Sequence, residues 1–509
     1  MNSAKTFADA PHAPAPATDF SALPSIYRDP SFWGMTITQF LGAFNDNLYK
    51  QLVLLLSIVP IGFDQIGYLP GTALLVFGSP LLLSTITPNI APMLAMLVVS
   101  AVELGQASDR QGLANTVFAV PFILTTGYAG YLSDRYRKRT IVICCKVAEI
   151  IVMMAGAAAF MLYSRNTELT WLYVVLFFMG AQSGFFGPAK YGILPEMVRP
   201  EDLPRANGMM VTTTFMAIIL GTFVAGVLLE SFKDQLWIGA SICISIAVAG
   251  TLSSLLVRKT PPANPELKFE ISALTVPPDM RELLRRDRPL LVAVLVSSLF
   301  WLVAGMVLPA VNTLGKIELG AGYKATSFLV AVVSVGIAVG GGLGGVLSGG
   351  KVDFRVLRVG AFGMLACLLL LAVPTWYEIS PMARMAADAE GAGWFANLFA
   401  GLPGVGESRQ WLGYAGSMGV LVSLGVFTGF FAVPLQVFMQ SRPPEGKKGR
   451  MITVMNLANW GGIILAGVIY EALARLIEVN LWPRSTIFFF IALLALPIAI
   501  FYHPKNEAL

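Results

Sequence analysis

Long apolar runs recur along the chain, separated by short clusters of charged and turn-forming residues. Most are near the ~20 residues an α-helix needs to cross a ~30 Å hydrocarbon core. The pattern predicts twelve main spans, near 33–57, 112–132, 140–163, 170–189, 207–230, 236–257, 289–313, 325–348, 357–374, 414–437, 451–474 and 485–503. Two connections are long. Residues 58–111 hold apolar pieces at 71–86 and 91–105. At about 15 residues each they are short for a span, so a re-entrant or interfacial hairpin is favoured over an extra pair of spans. The second, 376–413, is rich in small residues.

Composition agrees with the pattern. Of 509 residues 56% are hydrophobic and 13% charged, against about 25% charged in soluble domains. The fold class expected is an all-α polytopic membrane protein. Charge placement orients it. The connections at 134–139, 190–205, 258–288, 351–358 and 442–450, with both termini, hold 24 of the 35 Lys and Arg, and the opposite side holds 9. The positive-inside rule makes the first set cytoplasmic, with both termini inside. The net charge of +5 therefore needs no nucleic acid to explain it.

The Pro- and charge-rich link 258–288 divides the chain near its middle. The organisation expected is a disordered cytoplasmic tail over 1–31, an N-terminal six-helix half over 32–257, a cytoplasmic linker over 258–288, a C-terminal six-helix half over 289–503 and a short tail over 504–509. No cleavable leader is expected, because no apolar core with a cleavage site precedes Trp33. Internal repeats support the two halves. Gly184-Phe185-Phe186-Gly187-Pro188 is echoed by Gly429-Phe430-Phe431-Ala432-Val433-Pro434, Ile219 to Gly226 by Ile463 to Gly467, and Gly130 to Ser133 by Gly345 to Ser348.

Candidate chemistry sits inside the spans. Asp46 lies near the middle of the first, where an ionisable group costs roughly 2.5–3.5 kcal/mol and must face protein or water. Lys50 follows one turn later on the same face, so the two are expected to neutralise each other partly, with Asn45 and Asn47 beside them. Lys146 and Glu149 are three apart and read as a structural pair. Asn456 and Asn459 share a face of the eleventh span and are candidates to line a cavity opposite Asp46, with interhelical hydrogen bonding as the alternative. The glycine-rich run 336–345 permits close helix approach, either as static packing or as a sliding surface. His12 lies in the N-terminal tail and His503 at the very end of the last span, so neither is in a span interior, which removes histidine metal sites, histidine proton relays and a His-x4-Asp acyltransferase centre. No cofactor and no catalytic residues are expected. The four cysteines lie in apolar runs, which argues against a disulfide framework.

The connection Gly130-Tyr131-Leu132-Ser133-Asp134-Arg135-Tyr136-Arg137-Lys138-Arg139 resembles the signature loop of the major facilitator superfamily, Gly-x3-Asp-Arg-x-Gly-Arg-Arg, with Arg137 where that family has Gly. The resemblance implies two six-helix halves and a gating role for Gly130, Asp134, Arg135 and Arg139. A simple topology signal explains the basic residues equally well. The stretches Gln39 to Asn47, Gly187 to Glu196 and Gly429 to Gln436 look like the lysophospholipid transporter branch of that superfamily.

That branch implies movement of lysophosphatidylethanolamine and lysophosphatidylglycerol from the outer to the inner leaflet of a bacterial cytoplasmic membrane by alternating access. It also occurs fused to acyltransferase and acyl-carrier-protein ligase domains, and the membrane half alone is expected here. The partners implied are the lysophospholipid, the bilayer and a cytoplasmic acyltransferase. Asp46 is then a partner for an ethanolamine ammonium, Lys50 and Lys190 for phosphate, and Phe44 for the acyl chain, with Asn45, Asn47, Asn456 and Asn459 as further lining. The alternatives are a proton-coupled exporter of drugs or small metabolites and a non-transporting scaffold for an acyltransferase.

Overall fold

The computed structural model describes residues 23–58, 109–267, 278–347, 354–374, 410–444, 448–480 and 482–502. Among the described residues, twelve long helices fall where the apolar runs lie: α1 (Pro30–Leu56), α2 (Gln111–Arg135), α3 (Lys138–Asn166), α4 (Thr170–Gly192), α5 (Leu203–Ser231), α6 (Leu236–Ser254), α7 (Arg288–Thr313), α8 (Tyr323–Leu347), α9 (Phe354–Ala372), α10 (Gly413–Ser441), α11 (Lys448–Val479) and α12 (Thr486–Phe501). Ten are apolar and long enough to cross a membrane. The other two are α12, which is short, and α1, whose polar residues Gln39, Asn45, Asp46, Asn47, Lys50 and Gln51 dilute its apolar face. The chain is a multi-pass, all-helical membrane protein. Several helices run past the expected spans, because backbone hydrogen bonding continues where hydropathy fades. The 71–105 region and both chain ends lie outside the described residues.

Local chemistry fixes the starts of two corresponding helices. Asp29 caps α1 by accepting from Ser31 N at 2.9 Å, and Pro30 supplies a preset φ. Asp287 caps α7 by accepting from Leu290 N at 3.2 Å. Each cap is locked by an arginine: Arg258 Nη2 reaches both oxygens of Asp29 at 2.5 Å, and Arg442 Nε donates to Asp287 Oδ2 at 2.7 Å. The four cysteines are free thiols.

The first six helices and the last six form two bundles, each with its own core. The repeats map onto equivalent contacts. In the first half α4 packs on α2, where Gly180 sits against Phe118 O and Gly184 against the Thr125 side chain. In the second α10 packs on α8, where Gly425 sits against Val333 O and Gly429 against Ile337 O. Within the run 336–345, Gly336 and Gly340 lie against Val422 O and Val426 O of α10, inside their own half.

The halves meet through α2 with α11 and α5 with α8. These contacts gather at the end of the bundle away from the chain termini, called here the far end. Both long connections leave and return there. An isolated bridge pairs Ile58 with Asp109, and another pairs Pro374 with Gln410.

Candidate functional site

Asp46 is half-buried on α1. The Ser183 hydroxyl of α4 donates to its Oδ2 at 2.5 Å, and Oδ1 is buried without a hydrogen-bond partner. The charge of Lys190, two turns further along α4, acts on Asp46. Lys50 does not pair with Asp46. Its ammonium lies 4.8 Å from the centre of the Phe118 ring on α2. An i,i+4 ion pair stabilises by only ~0.2–0.5 kcal/mol, whereas a desolvated cation on an aromatic face gains up to ~2 kcal/mol. The spacing permitted the pair, and the ring of a neighbouring helix outcompetes it. Among the described residues neither Lys50 nor Lys190 makes an ion pair. Lys190 lies 4.8 Å from the Tyr191 ring and 5.7 Å from the Phe186 ring.

Behind Asp46 lies a fully buried ion pair. Lys146 Nζ and Glu149 Oε2 are 2.5 Å apart, each side chain 1% exposed. Asn45 donates to Glu149 Oε1 at 2.9 Å, and Gln182 donates to Oε2 at 3.4 Å and to Cys145 O at 3.2 Å. Gly42 makes room, since a Cβ there would overlap the Lys146 ammonium. Asn45 thus braces the pair.

The other expected lining residues are dispersed. Asn47 donates to Ala43 O of its own helix at 2.8 Å. The Phe44 ring lies 6.2 Å from that of Phe40, and its carbonyl meets Gly221 of α5. Asn459 accepts from Ser297 of α7 at 2.9 Å, a bond within the second half. Asn456 is exposed.

The far end carries a polar seam that sequence reading did not single out. Asp109 is 2% exposed. It accepts from Thr313 at 2.5 Å, Tyr470 at 2.8 Å and Gln111 Nε2 at 3.1 Å. Gln111 also donates to Pro309 O at 3.1 Å. Asn312 links both halves, donating to Gln111 Oε1 and accepting from Gln51 Nε2, each at 2.8 Å. Glu471 of α11 accepts from Leu113 N at 3.1 Å, meeting an orphan donor in the first turn of α2. Two repeat-related glycines allow the closeness: Gly467 abuts Gly112 O and Thr116, and Gly226 abuts Tyr323 O and Ser327. The polar residues at the far ends of α1, α2 and α7 were the available signal. Asp109 itself sits where hydropathy reads only a loop.

Toward the termini the seam continues to Phe122 and Trp460, stacked at 3.9 Å. Beyond it, Gly130 has no atom within 4 Å of where a Cβ would sit. Asp134 and Arg135 engage the linker instead of the other half. The Asp134 carbonyl accepts from Asn264 N at 2.8 Å, and Arg135 donates to Leu267 O at 2.9 Å. Arg139 donates to Leu255 O at 3.0 Å.

The description "Major Facilitator Superfamily" belongs to a family model that matches residues 72–467. The chain belongs to that superfamily. As a major facilitator protein it is a membrane transporter. Two curated relatives, both described as lysophospholipid transporter LplT, are similar over much of the chain. The one from Salmonella paratyphi B is 28% identical, over 71% of this chain and 78% of the relative. The one from Serratia proteamaculans is 26% identical, over 53% and 69%. Solved structures share the fold at low identity. A nucleoside transporter, NupG, matches with a TM-score of 0.58 at 11% identity, covering 91% of this chain and 98% of that one. A POT family transporter bound to a thioalcohol-conjugated peptide matches with 0.60 at 14%, covering 94% and 97%.

Proposed function

We propose that this protein moves lysophospholipids, lysophosphatidylethanolamine and lysophosphatidylglycerol, from the outer to the inner leaflet of a bacterial cytoplasmic membrane. The observation that carries the reading is the unsatisfied charge on the first half. Asp46 keeps a buried oxygen without a donor, flanked along the bundle axis by Lys50 toward the far end and Lys190 toward the termini. Charges left without ion pairs inside a membrane protein mark a substrate path. A zwitterionic head group offers an ammonium for Asp46 and a phosphate for either lysine. The aromatic faces of Phe118 and Tyr191 beside those lysines give an apolar flank for a single acyl chain. The similarity to LplT proteins supports the same cargo.

The basic connections put both termini in the cytoplasm. On that orientation the polar seam closes the periplasmic side and the path opens inward. Alternating access then requires breaking the bonds of Asp109, Asn312 and Glu471 while the 130–139 loop engages the second half.

The test is reconstitution into liposomes with labelled lysophosphatidylethanolamine, diacyl phosphatidylethanolamine and a nucleoside, with and without ion gradients. Movement of the lysolipid alone is expected. A protein that moves the nucleoside and not the lysolipid overturns the reading.

A further inference from the structure

A second feature with lipid chemistry lies on the outside of the second half. Arg355, Arg358, Val359 and Phe362 recur at spacings of three and four on α9, so they share one helix face. With Gly363, and with Phe427 of α10, they line an open groove of about 530 Å³. That lies within the ~300–1,000 Å³ typical of small-molecule sites. Gly363 lowers the floor, since a Cβ there would fall within the Phe427 ring. Val359 and Phe362 are exposed at 54% and 46%. α9 packs on α10 and α12, so the groove lies away from the Asp46 cluster and from the seam between the halves.

The lining is graded along the helix axis. Arg355 and Arg358 occupy the opening turns of α9, at the basic end of the bundle. Phe362 lies about 10 Å deeper at 1.5 Å per residue. Charge at the membrane boundary and apolar walls beyond it match a phospholipid's head and chain. Guanidinium groups are planar forks suited to phosphate oxygens, and basic pockets between helices on the cytoplasmic side take anionic lipids. We propose that this groove binds one anionic diacyl phospholipid from the leaflet bordering the basic end, separately from the transported lipid. The orientation rests on the positive-inside assignment; the cargo reading is not needed.

The test is native mass spectrometry of the delipidated full chain, titrated with phosphatidylglycerol or phosphatidylcholine. One phosphatidylglycerol is expected to be retained preferentially. Arg358→Gln should weaken that retention on the order of fivefold, leaving phosphatidylcholine unchanged. Val359→Trp keeps both arginines but narrows the groove and should also lower retention. All these residues are exposed or rim the groove, so thermal unfolding in detergent should match the parent. Equal retention of both lipids by the parent protein, or undiminished phosphatidylglycerol retention by Arg358→Gln, overturns the site and leaves only bulk annular lipid.

Discussion

Tyr470 of α11 donates a hydrogen bond to Asp109 Oδ2 at 2.8 Å, joining the second half to the chain just before α2. The same oxygen accepts from Thr313 of α7, so one carboxyl gathers donors from two helices across the seam. A hydrogen bond to a charged group contributes about 1.5–3 kcal/mol, and an abandoned buried donor costs about 1–3 kcal/mol. Asp109→Ala should therefore shift the closed-to-open ratio of the far end by at least about tenfold, and Tyr470→Phe by less. Spin labels at Ser231 and Val479 read the separation. An unchanged distance distribution in Asp109→Ala would remove the latch role.

Burial raises the carboxyl of Asp109 above its ordinary value, against the lowering effect of the hydrogen bonds from Thr313, Tyr470 and Gln111. Opening exposes the group and returns it toward the ordinary carboxylate range. The closed state thus holds its proton to higher pH. Closure should be fully favoured below the ordinary range and weaken as pH rises through the raised value. The same labels, followed across the acid range, should show the open fraction growing with pH. In Asp109→Ala that component of the dependence should vanish.

The glycines of the seam are tested separately. A Cβ on Gly112 would lie 2.8 Å from Glu471 N and also overlap Gly467 O. Backbone cannot yield as a side chain can. Gly112→Leu should hold the far end apart, leaving it accessible to a membrane-impermeant thiol reagent at a cysteine placed at Asn312. Protection equal to the parent protein would mean that α2 and α11 need no such approach.

The Lys146–Glu149 pair should be costly to break singly and cheap to remove whole. Glu149→Leu leaves a buried ammonium without its partner, which costs about 3–5 kcal/mol, whereas replacing both partners by apolar residues of similar volume is often neutral. Thermal unfolding in detergent should show a large loss for Glu149→Leu and recovery of most of it in K146M/E149L. A double variant no better than the single one would mean that the hydrogen bonds from Asn45 and Gln182 matter more than the charge balance.

Much of this architecture was legible in the chain. Twelve apolar runs became twelve helices, because a bilayer leaves the backbone no other way to satisfy its polar groups. The pairing of Lys146 with Glu149 followed from helical spacing. Asp46 with Lys50 had suitable spacing too, yet Ser183 and Phe118 captured them from other helices, and single-helix periodicity carries no information about a neighbouring helix. Asn45, Asn47 and Asn459 have hydrogen-bond partners within their own half for the same reason. The seam of Asp109, Gln111, Asn312 and Tyr470 went unseen because its members come from segments up to 361 residues apart, and each looks ordinary alone.

On the proposed function, Asp46 meets the head group. The direct measurement is uptake of labelled lysophosphatidylethanolamine and lysophosphatidylglycerol into proteoliposomes by the parent protein and by Asp46→Asn. The amide keeps the size and a hydrogen-bond acceptor for Ser183 but loses the charge that an ethanolamine ammonium would meet, a charged hydrogen bond on the order of 1.5–3 kcal/mol. About a tenfold or greater fall in lysophosphatidylethanolamine uptake is expected, with lysophosphatidylglycerol much less affected. Uptake of both lipids at the parent rate by Asp46→Asn would contradict it.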